Sequence, residues 1–509
     1  MGVENMGRLY NKLKRHRQRA TEVMLLIGVF VVSFLPMIVA LDGMSFHGDE
    51  SHWISEGIAC VHLILQGKFS DPYWFTGPDW YQPPVAKYLI GFALLLFGVK
   101  EGEWQYWGVP LKGEIPPNYV LAISRLPMAV MGALSCVLVF LLGKELKDRW
   151  TGIIASLFLA FNPLWLSCSR RAMSDTPSVF FSTLSIFLFW LGIKNIKSHT
   201  QSLIYFVIAG ISVGLAIDSK YTSIMTFLLI ILFTFLVMVP FFSQHLLSSS
   251  SKMKFRAVTA IGLVLFVGMG VLTTIVLNPY LYLNPYQQFN NVVGFWSRGS
   301  QYWGYRVQDT PNDKINAFIG TIHSVVWPGC QVLKAIWPSY QWSWEYPGSY
   351  TTVPMAASFV LGMTYLLNRI RKKETSFIEI LILMWFLIYL VFISMVTWKL
   401  WDRYFLPLIP SMTLIAAYGL TWFCRRMLRV DWVLITTTAV SHAGNILAWL
   451  PELYNKQWPD ANNDYALASL QLSIGRDLGF IFAVGYSIVL LFTILWYLRK
   501  HLRRYSFHS

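Results

Sequence analysis

Apolar runs long enough to cross a bilayer constrain this chain more than any other feature. A spanning helix needs about 20 consecutive apolar residues, and hydropathy marks about twelve candidate spans. They are 22–41, 120–143, 151–169, 175–193, 203–217, 220–241, 257–279, 352–367, 377–396, 403–423, 432–450 and 478–498. The run 203–217 is short for a span. The run 86–98 is too short to cross comfortably and reads as an interfacial or re-entrant helix. Only 13% of the 509 residues are charged, against about 25% in a soluble globular chain. The expected fold class is an all-α polytopic membrane protein, a single integral-membrane domain over 1–509 without repeats, low-complexity tracts or a soluble domain.

The net charge of +15 does not point to nucleic acid, because the basic residues lie in short clusters between apolar runs. Such clusters mark cytoplasmic loops. Alternation from a cytoplasmic N-terminus puts Arg8–Arg19, Lys144–Arg149, Lys194–Lys197, Lys252–Arg256, Arg369–Lys373, Arg425–Arg429 and Arg499–Arg504 on one side. The C-terminus is then cytoplasmic too. The first span reads as a signal anchor, since no small-residue cleavage pattern follows the basic segment. The long connections 42–119, 280–351 and 451–477 fall on the outer side. The first is expected to form a helix from Glu50 to Gln66. The second is crowded with Trp and Tyr, which suit an interfacial belt, with a few left for substrate. Of the five cysteines, none has metal-ligand spacing. Cys60 and Cys330 both fall outside, where a disulfide between them is compatible with the topology.

Against this apolar background one stretch stands out, Asp42–Trp53, which holds Asp49 and Glu50 between His47 and His52. An acidic pair where a span surfaces is either simple solvation or a site. Further ionisable groups gather at the same outer boundary: Lys87 in the Pro-Pro segment 81–87, Arg125, Arg170, Arg171, Asp175, Asp218, Lys220, Lys399, Asp402 and Arg403. Each has a plain structural role open to it. Lys87, Lys399 and Arg403 can snorkel to headgroups, Asp175 can cap a helix, and Arg170 and Arg171 can pair with Asp175. Their gathering on one face says more. A carboxylate can take a proton from an acceptor hydroxyl, and Arg and Lys can stabilise a phosphate leaving group. That chemistry fits sugar transfer from a polyprenyl-phosphate donor at the outer face, with the donor's tail in the bilayer. Such a donor needs no nucleotide fold, and no P-loop or dinucleotide fingerprint is present. Asp49 is the preferred base. A divalent metal on His47, Asp49 and His52 suits the residue types, but the spacing is not that of a zincin helix. No cofactor is required.

Several of these segments resemble the membrane glycosyltransferases of the GT-C superfamily, in particular the group of the protein O-mannosyltransferases and the aminoarabinose transferase of lipid A. They are H-G-D-E at 47–50, Y-Q-P-P-V-A-K-Y at 81–88, S-R-L-P-M at 124–128, S-R-R-A-M-S-D-T-P at 169–177, G-L-A-I-D-S-K-Y-T at 214–222 and D-R-Y-F-L-P-L-I-P at 402–410. The resemblance implies a base at Asp49, with Glu50 beside it, and an orienting or acceptor-positioning acid at Asp175. It implies donor-phosphate contacts at Arg125, Lys220 and Arg403, with Arg171, Lys87 and Gln82 as further candidates. One position departs from the pattern. The aminoarabinose transferases have a Lys before the proline of the loop segment and the protein mannosyltransferases a His, where this chain has Gln82. Lys87, five residues on, can supply the charge. The 280–351 connection is too short for the lumenal β-trefoil of the eukaryotic protein mannosyltransferases.

The alternative reading is a twelve-helix carrier of the major-facilitator type. It rests on the turn G-K-E-L-K-D-R-W-T-G at 143–152, which is equally a basic turn with a helix-capping Asp148. Carriers place polar groups near mid-membrane and often show two similar halves, neither of which is visible here. A structural or partner subunit would not require the acidic pair.

Overall fold

The computed structural model describes residues 3–39, 41–42, 46–77, 81–99, 116–239, 249–302, 353–396 and 402–428. Helix α1 (Val3–Ile38) contains the first span and is followed by α2 (Gly48–Leu65), the single turn α3 (Tyr73–Thr76) and α4 (Val85–Leu96). Next come α5 (Asn118–Leu146), α6 (Arg149–Ala160), α7 (Pro163–Cys168), α8 (Asp175–Lys194), α9 (His199–Ser219) and α10 (Ile224–Met238). Then follow α11 (Ser249–Leu277), α12 (Pro285–Tyr302), α13 (Val353–Arg371), α14 (Phe377–Val396) and α15 (Ile409–Phe423). Among the described residues, eight helices are long and apolar enough to cross a membrane. The chain is an all-α, multi-pass integral membrane protein.

Two expected spans need correction. The run 151–169 is not one helix. It breaks after Ala160, where Asn162 accepts the Trp165 amide at 3.1 Å and Pro163 opens α7. Proline lacks the N–H that would continue α6, and a capping Asn restarts the chain one turn later. The run 203–217 is longer than expected, because polar residues at both ends join α9. Expected spans 432–450 and 478–498, the connection 451–477, Lys399 and Cys330 lie outside the described residues. So does most of 280–351. Cys60 is buried.

Helix α5 packs on α1, α4, α6 and α8, while α9 lies between α8 and α11, and α15 between α13 and α6. A core of fully buried aliphatic and aromatic side chains, including Trp165, Phe189, Phe266 and Trp385, fills the spaces between them. At one end, ion pairs Lys144–Glu22, Lys194–Glu145 and Arg425–Asp148 join helix termini from the basic clusters. Asp148 also accepts the Thr151 amide at 3.0 Å as the cap of α6. The turn that suggested a carrier is therefore a capped, ion-paired helix junction.

The first outer connection is not a loose loop. Helices α2 and α4 cross at Gly57 and Gly91, where a Cβ on Gly91 would sit 2.1 Å from the Gly57 carbonyl oxygen. Only glycine permits that backbone approach. It buries the start of α4, with Lys87, against α2.

Candidate active site

Three polar clusters form around the first outer connection, and the sequence-predicted residues divide among them. The innermost centres on Glu50, which is fully buried. Its Oε1 accepts Arg125 Nε at 2.7 Å and the Ala172 amide at 2.8 Å. Its Oε2 accepts Arg125 Nη2 at 2.7 Å and the His47 amide at 3.0 Å. Arg125 Nη1 donates to the Leu41 carbonyl at 2.8 Å, and Arg170 Nη1 to that of Pro36 at 2.7 Å. The break at Asn162–Pro163 delivers the 169–174 turn to this position. Arg125, expected to touch donor phosphate, is thus committed to Glu50. The pair ties α2, α5, the end of α1 and the turn before α8 into one unit.

His47 caps α2, its Nδ1 accepting the Asp49 amide at 3.2 Å. Burial, reinforced by the nearby charge of Arg171, pushes the His47 imidazole down to about 4. It is neutral near pH 7, as an acceptor Nδ1 must be. The unfolded chain takes up this proton near pH 6.5, so acidification from about 6.5 to 4 costs stability. A His47→Ser chain keeps a side-chain cap and is expected to lose this part of the pH dependence in thermal unfolding. An unchanged slope over that window would contradict the assignment. Among the described residues no three His, Cys, Asp or Glu side chains converge to hold a metal, and His47 Nδ1 is occupied by the cap.

The second cluster is the buried pair Glu56 and Lys87 with half-buried Tyr73. Tyr73 donates to Glu56 Oε1, and Lys87 Nζ lies 3.5 Å from Oε2. Lys87, another expected phosphate contact, faces Glu56 through the glycine crossing. Gln82 is half-buried just before α4.

The third cluster is open. Asp49 pairs with Arg403, at the start of the 3-10 turn Asp402–Leu408. Asp175, in the first turn of α8, pairs with Lys220 at the end of α9. The capping role open to Asp175 is not taken up, since no side chain caps α8 and Asp175 instead makes this ion pair. Lys220 also lies over the Tyr404 ring, 4.8 Å from its centre, and Arg403 is within electrostatic reach of Asp175. A Ser178–Ser223 hydroxyl contact of 2.6 Å holds α8 against the turn after Lys220. A small recess adjoins the Asp175–Lys220 pair, lined by Asp175, Lys220 and Tyr404 together with Phe392, Ile393 and Leu406. Burial raises the Asp49 carboxyl, but the Arg403 charge more than reverses this and holds it well below the usual carboxylate range. Asp49 keeps a third of its side chain exposed, unlike Glu50.

The sequence reading missed Glu56 and Tyr404. Tyr404 sits inside a quoted motif, whereas Glu56 carries no signal beyond its residue type. Asp218, two residues before Lys220, is fully buried; the Asn278 amide lies close to its carboxyl, but neither oxygen has a well-formed hydrogen bond among the described residues, and it does not line the recess. A buried carboxyl this weakly partnered is costly. Asp218→Asn is expected to raise stability by about 1 kcal/mol in thermal unfolding, and a loss of that size would show that the Asn278 amide holds the carboxyl.

Residues 75–286 match the dolichyl-phosphate-mannose-protein mannosyltransferase family. The matched segment contains the Pro-Pro, Arg-Leu-Pro, second acidic and D-S-K-Y-T motifs, and the resemblance to GT-C membrane glycosyltransferases stands on that match. No curated protein sequence matches the chain. Among solved structures, the chain is similar to the archaeal oligosaccharyltransferase AglB from Archaeoglobus fulgidus, in complex with an inhibitory peptide and a dolichol-phosphate. Identity is 16% and the TM-score 0.49, covering 89% of this chain and 60% of that one. It is also similar to ArnT from Cupriavidus metallidurans bound to undecaprenyl phosphate, at 14% identity and TM-score 0.47, over 92% of this chain and 78% of that one. The Saccharomyces cerevisiae Pmt1-Pmt2 complex bound to the sugar donor aligns at 19% identity and TM-score 0.37, over 50% of this chain and 33% of that one. This chain thus spans about 60% of the length of the first of these.

Proposed function

We propose, from the family match over residues 75–286, that the chain transfers a sugar from a polyprenyl-phosphate donor to an acceptor hydroxyl at the non-cytoplasmic membrane face. The acceptor belongs to a protein, lipid or glycan, and both termini are cytoplasmic. One observation supports this above the others: the Asp49–Arg403 and Asp175–Lys220 pairs lie within electrostatic reach of one another, and the second lines a recess that mixes polar and apolar side chains. Charge and oil side by side suit a phosphate attached to an isoprenoid.

The acceptor hydroxyl loses its proton to an Asp49 carboxylate oxygen as its own oxygen attacks the anomeric carbon. The bond from that carbon to the phosphate oxygen breaks, and its electron pair leaves with polyprenyl phosphate. Arg403 and Lys220 stabilise the charge that grows there. One displacement with one base and no enzyme nucleophile inverts the anomeric centre. Before donor arrives, Arg403 holds Asp49 and weakens it as a base. The incoming phosphate competes for the guanidinium and frees the carboxylate, so the base is available when there is something to transfer. Asp175 keeps Lys220 aimed at the same place. Glu50 and Arg125 hold the base's helix in position. Transfer by this route requires no divalent ion.

Arg403→Gln removes the phosphate partner. It is expected to weaken donor binding about 10–100-fold, the worth of a hydrogen bond to a charged group. Binding of a labelled polyprenyl-phosphate sugar to the purified chain, with and without a chelator, measures this. Unchanged affinity in Arg403→Gln, or binding abolished by chelation, would overturn the assignment.

A further inference from the structure

Helix α12 follows closely on the span that ends α11, and its sides differ sharply. On one side Val292 is buried with Tyr280 and Leu281, beside Phe75. There Phe295 stacks on Tyr81, ring centres 4.1 Å apart. On the adjoining side Tyr286 (79%), Phe289 (41%) and Val293 (49%) are exposed at helical spacing. Gln287, Asn290 and Asn291 occupy the remaining side and are also exposed.

The apolar arc is therefore about half the helix, and the described residues cover only part of it. The uncovered part is continuous with the outside of α11. Val276, on the span, is 54% exposed, and the hydroxyl of exposed Tyr282 donates to the Val276 carbonyl. Leu283 (71% exposed) then leads to Tyr286. Phe69, from the loop after α2, lies beside Tyr282 with ring centres 6.4 Å apart. Scattered exposed apolar residues need no explanation, but a continuous patch does. Helix α12 cannot itself span, because Gln287, Gln288, Asn290 and Asn291 would be carried into hydrocarbon. Its first three turns carry no charge, so attraction to anionic headgroups plays no part.

We infer that α12 lies along the membrane surface, with Leu283, Tyr286, Phe289 and Val293 seated at the headgroup–acyl boundary of the leaflet from which α11 emerges. Amphipathic helices with aromatic residues at one edge take up this position. The helix then acts as a float. Through Phe295 on Tyr81, and with Tyr280 of the preceding turn against Phe75, it fixes the height of residues 71–77 and Tyr81 above the bilayer. This inference does not depend on the proposed reaction.

The test uses the full chain in phosphatidylcholine nanodiscs, with nitroxides placed singly at 287, 289, 291 and 293. At 289 and 293 collisions with oxygen should exceed those with a water-soluble nickel complex, and at 287 and 291 the order should reverse. Adding anionic lipid should change neither. Nickel access at all four positions would mean a solvated helix and overturn the inference. Shielding of 289 and 293 from both agents would mean cover by protein, from this chain, a second copy or a partner, and would overturn it equally. The float role has its own readout. Phe289→Asp with Val293→Asp should speed amide exchange of residues 71–77 about tenfold in nanodiscs, equivalent to about 1.4 kcal/mol. Unchanged exchange would remove that role.

Discussion

Glu50→Ala lowers the stability of the chain by about 3–5 kcal/mol, as read by thermal unfolding in detergent or nanodiscs. The cause is what is left behind. Arg125 is fully buried and gives two of its nitrogens to Glu50, so removing the carboxylate strands a guanidinium in the interior. The amides of His47 and Ala172 lose their acceptor as well. Burial pushes the Glu50 carboxyl up, but Arg125 outweighs it and holds the group ionised below the usual range. Glu50→Gln should fall between wild type and Ala, since the amide oxygen still accepts one or two of the four bonds. Combining Glu50→Ala with Arg125→Met should recover part of the loss, because the stranded charge is gone. A Glu50→Ala chain within 1 kcal/mol of wild type would show that the pair does not hold α2, α5 and the turn before α8 together.

Asp49→Asn separates the neighbouring residue by its effect. It is expected to leave the fold intact and cut turnover by about 10²–10⁴-fold, the usual contribution of a positioned base. The amide fills the same space but cannot take the acceptor proton. Donor affinity should be unchanged or tighter, because Arg403 no longer has a carboxylate to leave. Two adjacent acids thus give opposite results: one variant is strongly destabilised and the other keeps its stability without turning over. If Asp49→Asn unfolded as readily as Glu50→Ala, Asp49 would be a structural residue too.

The sequence made Asp49, Asp175, Lys220 and Arg403 visible for a physical reason. Ionisable groups are expensive at a bilayer boundary, so those present stand out against an apolar chain. What it could not show was which cation meets which carboxylate. Arg125 and Arg403 have the same side chain and a similar boundary position. One is paired with Glu50 in the interior and the other with Asp49 at an opening. That difference depends on where α5 and the 402–408 turn meet α2, partners 75 and 354 residues away. Lys87 was legible as a cation, but its partner Glu56 was not, because the pairing follows from the Gly57–Gly91 crossing. The break in 151–169 was readable in Asn162-Pro163. Continuous apolarity on both sides hid it, although apolarity reports burial or lipid and says little of where a helix stops.

The most direct measurement is turnover with labelled polyprenyl-phosphate sugars, using purified wild type and Asp49→Asn in nanodiscs and following released polyprenyl phosphate alongside donor binding. The account predicts that wild type binds and consumes at least one such donor, and that Asp49→Asn binds the same donor without consuming it. Equal consumption by both would contradict the base. Failure of every lipid-phosphate sugar to bind, together with solute uptake into vesicles carrying the protein, would contradict the reaction itself.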